Sequence, residues 1–256
     1  MSDERLSREK AYHDQRFGGD NSERSAARKY YSLMNKAGQE YRSVAIATCG
    51  NGHLLEYGCG TGRQSQVWLR TGARITGIDI SSEAIEKAKT TIMGTEFADR
   101  AEYYEMNAEA MSFKDDTFDV IVGSGIIHHL ELDPCYSELA RVLKPGGLAV
   151  FMEPLGHNYL INFYRKLTPG MRTEDEHPLR MEDIRHAERY FNNVKASYYN
   201  LTTLLAVPFR KTFLFKPLFN MFHQLDRALF KVLPFLRKHA WFIVLQMRDP
   251  RLKSAS

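Results

Sequence analysis

Cysteine is scarce in this chain and no long apolar run occurs, and each absence narrows what the protein can be. Its three cysteines, Cys49, Cys59 and Cys135, are too few and too scattered for a disulfide framework or a structural zinc site. No stretch reaches the roughly 18 apolar residues needed to span a bilayer. The opening residues, Met1-Ser2-Asp3-Glu4-Arg5, are charged, so no secretory signal is expected and the cytoplasm is the expected compartment. His177 has no neighbour at H-x-x-x-H or H-E-x-x-H spacing, and no metal is expected. Internal repeats and low-complexity segments are also missing. A hydrophobic content of 43% with 26% charged residues is that of a soluble globular chain, and 256 residues suffice for one large α/β domain with additions.

The most informative segment is Leu54-Leu55-Glu56-Tyr57-Gly58-Cys59-Gly60-Thr61-Gly62, followed by Gly77-Ile78-Asp79-Ile80. It reads as a strand, a glycine-rich turn, a helix and a second strand closing on a carboxylate, which together make half of a nucleoside site. Asp79 lies about 20 residues beyond the first glycine, where a carboxylate accepts hydrogen bonds from ribose hydroxyls. A dinucleotide loop wants G-x-G-x-x-G; here the glycines stand at 58, 60 and 62 and position 63 is Arg63. Glu56 would also repel a pyrophosphate, whereas it suits a ligand carrying an ammonium and a sulfonium.

The E-x-G-x-G-x-G loop with Asp79 resembles the cofactor loop of class I S-adenosylmethionine-dependent methyltransferases. The likeness covers roughly residues 50 to 155 and is nearest to the ubiquinone/menaquinone-type small-molecule enzymes. It implies a Rossmann-like, seven-stranded, mostly parallel α/β sheet with S-adenosylmethionine as cofactor. Glu56, Gly58, Cys59, Gly60 and Gly62 would then hold the methionine end, and Asp79 and Ile80 the ribose. Met106, Asn107 and Ala108 would flank adenine; many members have aspartate where Asn107 stands, and asparagine can both donate and accept there. Ser124 and Gly125 would border the transferring methyl. Metal-dependent catechol methylation would need clustered carboxylates at strand ends, and Asp79 already serves the ribose.

Strands are expected at 53–58, 74–79, 101–105, 118–123 and 147–153, with helices at 63–70, 82–92 and 133–143. Alternation of this kind specifies a parallel sheet covered on both faces. Ser81-Ser82 before Glu83 reads as a helix cap. Residues 191–200 and 240–248 would supply strands six and seven, the last antiparallel. The expected organisation is an N-terminal helical cap over 1–48, broken at 18–21, and a methyltransferase domain over 49–256. Tyr12, His13, Phe17, Tyr30 and Tyr31 either cap the pocket or pack the helices onto the sheet.

Residues 201–239 stand apart. They hold seven Lys or Arg against one acid, Asp226, and seven of the fifteen phenylalanines. The segment is +6, leaving −2 for the rest of a chain whose net charge is +4. Short helices broken at Pro208, Pro217 and Pro234 are expected. They would act as a lid over a large apolar acceptor, as a contact with an anionic membrane surface, or as a plain secondary core. Nucleic acid is not an expected partner, because basic and apolar residues alternate instead of forming a stripe. The N-P-P-Y-type loop of amine and DNA methylators is also missing after strand four.

Methyl transfer from a sulfonium needs alignment, worth about 7–11 kcal/mol, and a base only if the acceptor carries a proton. His128 and His129, just past strand four, are candidate bases, as is His157 after strand five. Arg165, Arg172 and His177, with Tyr12 and His13, are candidate acceptor-binding residues; the arginines could clamp a carboxylate or phosphate or simply be solvated. The expected function is methyl transfer to a small or lipophilic acceptor, most readily at oxygen. A ring- or lipid-carbon acceptor, and a non-catalytic binding or membrane-surface protein, stand as alternatives.

Overall fold

The computed structural model describes residues 3–19, 32–167 and 176–251. Seven strands pair into one sheet: β1 (His53–Tyr57), β2 (Arg74–Asp79), β3 (Ala101–Glu105), β4 (Phe118–Ser124), β5 (Leu143–Pro154), β6 (Phe191–Tyr199) and β7 (Phe242–Pro250). Their order is β3-β2-β1-β4-β5-β7-β6. The first five run parallel, and β7 is antiparallel to both β5 and β6. This is the class I methyltransferase sheet expected from the sequence.

Both faces of the sheet are buried, as parallel strands require. Alternate residues feed two cores. Leu55, Tyr57, Ile121 and Phe151 face one side with Tyr136 and Leu139 of α5 (Leu132–Val142). Leu54, Val120, Val122 and Val150 face the other, against α2 (Asn35–Cys49), Trp68 of α3 (Ser65–Leu69) and Ala88 of α4 (Ser82–Ile92). Each such side chain contributes about 1.5–3 kcal/mol by leaving water. Helix α4 starts as expected, with Ser81 Oγ accepting the Ala84 N–H at 3.1 Å. Strand order reverses between β1 and β4, which opens a crevice at the carboxyl ends of the strands.

The ends of the expected sheet strands and helices mostly fall within two residues of expectation, and two departures are larger. Strand β5 begins at Leu143 rather than 147, because Leu143 pairs with Phe118 before the register shifts and pairing resumes at Leu148–Val120. Pro217 does not break a helix: it sits at the third position of α8 (Phe215–Val232), where the missing N–H would have no intrahelical partner.

The 201–239 segment folds as a 3₁₀ stretch (Thr203–Phe209), α8 and a second 3₁₀ stretch (Pro234–His239). Leu33, Ala206 and Phe219 form its own small core. Its one acid, Asp226, is buried and accepts the backbone N–H of Leu201 (3.1 Å) and Thr202 (2.7 Å) and the Thr202 hydroxyl (2.6 Å). None of the residues of this segment lines the cavity described next. No helix among the described residues is long and apolar enough to cross a membrane.

Candidate active site

A cavity of about 520 Å³ opens at the carboxyl ends of β1, β2 and β4, roofed by α1 (Asp3–Gly18). Its floor is the glycine loop. Gly58 has φ +71°, and a Cβ there would stand 2.4 Å from Ile126 Cδ1, so no side chain fits. Gly60 (φ +52°) lies under Phe17 of α1, whose ring an added Cβ would meet at 3.4 Å. Asp79 is aimed by two backbone donors: the Gly60 N–H reaches Oδ2 at 2.9 Å and the Ser81 N–H reaches Oδ1 at 3.0 Å. Each oxygen keeps a further lone pair for a ligand.

Glu56 is buried in the cavity wall, where Ser65 donates its hydroxyl to Oε2 at 2.5 Å. Burial, helped by the nearby Asp79 charge, pushes its carboxyl up to about 7 against the Ser65 hydrogen bond. A buried acid whose only charged neighbour of influence is another acid is suited to a cationic ligand group. At the other end, Met106, Asn107 and Ala108 line the wall, with the Asn107 side-chain oxygen accepting the Glu109 N–H at 2.9 Å.

The roof is tied down by polar contacts. Arg5 clamps Glu109 at 2.6 and 2.7 Å and donates to the His129 carbonyl at 2.7 Å. Ser81 donates its hydroxyl to Asp14 at 2.6 Å, and Lys10 pairs with Glu105. Inside this roof Glu9 is buried, with Oε2 lying 3.5 Å from His13 Nε2 and 3.4 Å from His129 Nδ1. Arg16 Nη1 stands 3.4 Å from His13 Nδ1 and can only donate. That places the proton of a neutral His13 on Nε2, facing Glu9. Because its Nδ1 faces the Glu9 carboxylate, a neutral His129 would carry its proton there, which makes Nε2 its acceptor nitrogen. The His129 Nδ1 gap to Glu9 is long, and closing it by about 0.5 Å would make a normal hydrogen bond.

His128 is placed differently. Its Nδ1 lies 2.7 Å from Oε2 of the fully buried Glu153, whose Oε1 accepts the N–H groups of Ile126 (2.9 Å) and Ile127 (3.1 Å). Burial lowers the His128 pKa, opposed by Glu153. This carboxylate therefore sets the shape of the 124–130 loop. Among the described residues, two groups of potential metal ligands occur, Glu9–His13–His129 and His128–His129–Glu176, each with ligand atoms within 4.8 Å of one another. The Arg16 contact, which keeps the His13 Nε2 proton, fits proton handling better than metal ligation.

Of the cofactor-loop candidates, Glu56, Gly58, Cys59, Gly60, Asp79 and Ile80 line the cavity, as do Met106, Asn107, Ala108, Ser124 and Gly125. Gly62 does not; it packs on Ala88 of α4, 3.1 Å from an added Cβ. His129 and His13 line it, while His128 stands behind on Glu153. Tyr12 packs edge-on to His13 at 5.4 Å, outside the lining. His157 lies away from the cavity, its carbonyl 3.0 Å from His239 Nδ1. Arg165 pairs with Glu176 at 2.7 Å, and the His177 N–H donates to the His128 carbonyl at 2.9 Å; neither side chain reaches the cavity. Arg172, Tyr30 and Tyr31 lie outside the described residues. Phe17, one of the aromatics named as possible caps, lines the cavity too; Glu9 and Arg16 were not among the candidates, and of these Glu9 had a local signal, since Glu9 and His13 share a helix face at i, i+4.

S-adenosylmethionine fits this site: Glu56 would take its ammonium, Asp79 its ribose hydroxyls, and Met106 with Asn107 its adenine. The Glu56 carboxyl gives a test. Between about pH 4.5 and 7 the folded protein keeps a proton that the unfolded chain has lost, so the ligand-free protein loses stability as pH rises through that window. An ammonium needs the ionised form, so cofactor affinity is expected to fall about tenfold per pH unit below neutrality, with a proton released on binding. Calorimetry in buffers of differing ionisation heat reads both; an affinity flat from mildly acid to neutral pH would sink this role for Glu56.

Comparison with known proteins agrees. Residues 55–151 match the family described as methyltransferase domain. The ubiquinone/menaquinone biosynthesis C-methyltransferase UbiE of Geotalea daltonii is 36% identical over 127 residues, 47% of this chain and 53% of that protein. The malonyl-acyl-carrier-protein O-methyltransferase of Buchnera aphidicola is 30% identical over 135 residues, 52% of this chain and 51% of that one. The chain thus spans about half the length of these curated relatives. Among solved structures, the geranyl diphosphate C-methyltransferase of Streptomyces coelicolor A3(2) superposes with a TM-score of 0.59 at 14% identity, over 85% of this chain and 79% of that one. That likeness speaks to the fold. Within the chain, residues 55–151 are thus similar to a methyltransferase domain, set on a fold shared with solved S-adenosylmethionine-dependent methyltransferases.

Proposed function

We propose that the protein transfers a methyl group to an oxygen, hydroxyl or carboxylate, of a small or lipophilic acceptor. The observation that carries this reading is His129: the residue lines the cavity and its Nδ1 is turned to buried Glu9, the pairing that would make Nε2 the nitrogen that accepts a proton. S-adenosylmethionine, when bound, supplies an electrophilic methyl on a sulfonium, which needs no acid to leave. This chain's residues supply alignment and, for a hydroxyl, removal of a proton at His129 Nε2. The roof formed by α1 keeps water from the reacting atoms.

Carbon is the second reading. It has support in the similarity to UbiE, named a C-methyltransferase, just as the similarity to an O-methyltransferase supports oxygen. A screen of phenols, carboxylic acids and quinols with labelled methyl donor separates the two. The expected product is an ether or ester; alkaline hydrolysis frees label from the ester and cleaves neither an ether nor a ring-methylated compound, and carbon-13 NMR then places the methyl. Ring methylation would overturn the oxygen assignment, and tight cofactor binding without transfer to any acceptor class would favour a binding role.

A further inference from the structure

The solvent-facing half of α8 carries two kinds of residue along its full length. At 100° per residue, Leu214, just before the helix, aligns with Met221, Leu225 and Val232 in one stripe, and all four are exposed, Met221 by 54% and Val232 by 74%. Lys216, Arg227 and Lys231 line the other side of the same exposed half. Phe213, 88% exposed, precedes the helix and Phe235, 64% exposed, follows it. This apolar stripe is additional to the buried face of α8, which Phe219 and Phe230 occupy. The helix is therefore apolar on more of its circumference than its own core uses.

The charge on this surface has one sign. Asp226 is the segment's only acid and is spent inside, on the backbone of Leu201 and Thr202. What faces water between 201 and 239 is aromatic, aliphatic or cationic, apart from neutral polar groups. The apolar surface continues beyond α8: Tyr159, at the start of α6 (Tyr159–Leu167), stacks on His239 at 5.3 Å, and Leu160, Phe163 and Leu167 of α6 are exposed in turn.

We infer that this face lies on an anionic lipid bilayer, with α8 parallel to the surface. Exposed apolar side chains reach the acyl boundary while the cations meet lipid phosphates, which is the arrangement of an interfacial helix. A second copy of the chain is a poor occupant, since a two-fold dimer would set this cationic patch against itself. A nucleic acid would leave the stripe of Leu214, Met221, Leu225 and Val232 without a partner.

Flotation of the full chain with phosphatidylcholine vesicles, with and without phosphatidylglycerol, tests this. Wild type is expected to float with the anionic vesicles alone and to release at high salt. The triple variant Lys216→Gln, Arg227→Gln, Lys231→Gln should lose about a hundredfold in partitioning, on the order of what three interfacial cations contribute. Met221→Glu with Leu225→Glu should abolish flotation. Both variants change exposed residues, so retention of cofactor binding and of the thermal midpoint shows that each is folded. Wild type left in solution at low salt, or both variants floating as wild type does, overturns the inference. So does a wild-type dimer in sedimentation that the stripe variant dissociates.

Discussion

Replacing Asp79 by alanine is expected to weaken S-adenosylmethionine binding about 10²–10⁴-fold. The carboxylate ends β2 with each oxygen already holding one backbone N–H, from Gly60 at 2.9 Å and Ser81 at 3.0 Å. Those two bonds fix its direction, so its remaining lone pairs meet a ribose at little cost in ordering. A hydrogen bond to a charged group is worth roughly 1.5–3 kcal/mol, and two of them account for the expected loss. The alanine variant also strands the Gly60 and Ser81 N–H groups, so part of the effect will be a loosened glycine loop. Asp79→Asn, which keeps acceptor oxygen without the charge, should fall between. Calorimetric titration with S-adenosylmethionine and S-adenosylhomocysteine measures all three proteins. Affinity of the alanine variant within a fewfold of wild type would remove Asp79 from the cofactor site.

His129→Ala is expected to lower kcat by about 10²–10⁴ for a hydroxyl acceptor while leaving cofactor affinity nearly unchanged. The backbone carbonyl that receives Arg5 survives the substitution, so the roof stays anchored. If the imidazole removes a proton, the loss should shrink as pH is raised past the ionisation of an acidic acceptor, because an ionised acceptor needs no base. Glu9→Gln should give a smaller fall, about tenfold, and the same recovery with pH, since Glu9 positions the ring instead of touching the acceptor. A purely structural role would lower activity at every pH alike. Unchanged kcat in His129→Ala would end the assignment of the base.

The sheet was legible because its signals are local. The apolar runs at β1, β2 and β4, the serine cap at Ser81 and the glycine loop each act within a few residues, and helix 82–92 was placed to the residue. β5 was placed less well, because its start depends on Leu143 pairing with Phe118, a partner 25 residues away. The cofactor wall followed from the same local motifs. The roof did not. Glu9 meets His129, and Arg5 meets Glu109, across more than a hundred positions, and no spacing rule joins them. Arg165, His177 and His157 were attractive by residue type, yet none of them lines the cavity; they meet Glu176, the His128 carbonyl and His239 instead. Basic residues in a loop say little about direction until the fold orients them. Likewise, composition marked 201–239 as unusual without telling inside from outside; that came from Asp226 folding inward and Met221 outward.

The way α1 is fastened has a kinetic consequence. Among its described side chains only Glu9 is buried, so the helix contributes no apolar residue to either main core. It rests on ion pairs and hydrogen bonds: Arg5–Glu109, Asp14–Ser81, Lys10–Glu105 and the Phe17 carbonyl with Lys87. The exposed contacts of Lys10 and Lys87 contribute about 0–1 kcal/mol each and weaken as ions crowd within a Debye length of roughly 8–10 Å, whereas the nearly buried Arg5–Glu109 pair is screened less. Lifting the helix therefore costs far less than unfolding the sheet beneath it. The residence time of whatever lies underneath is set by an electrostatic latch, and spent cofactor leaves faster as ionic strength rises.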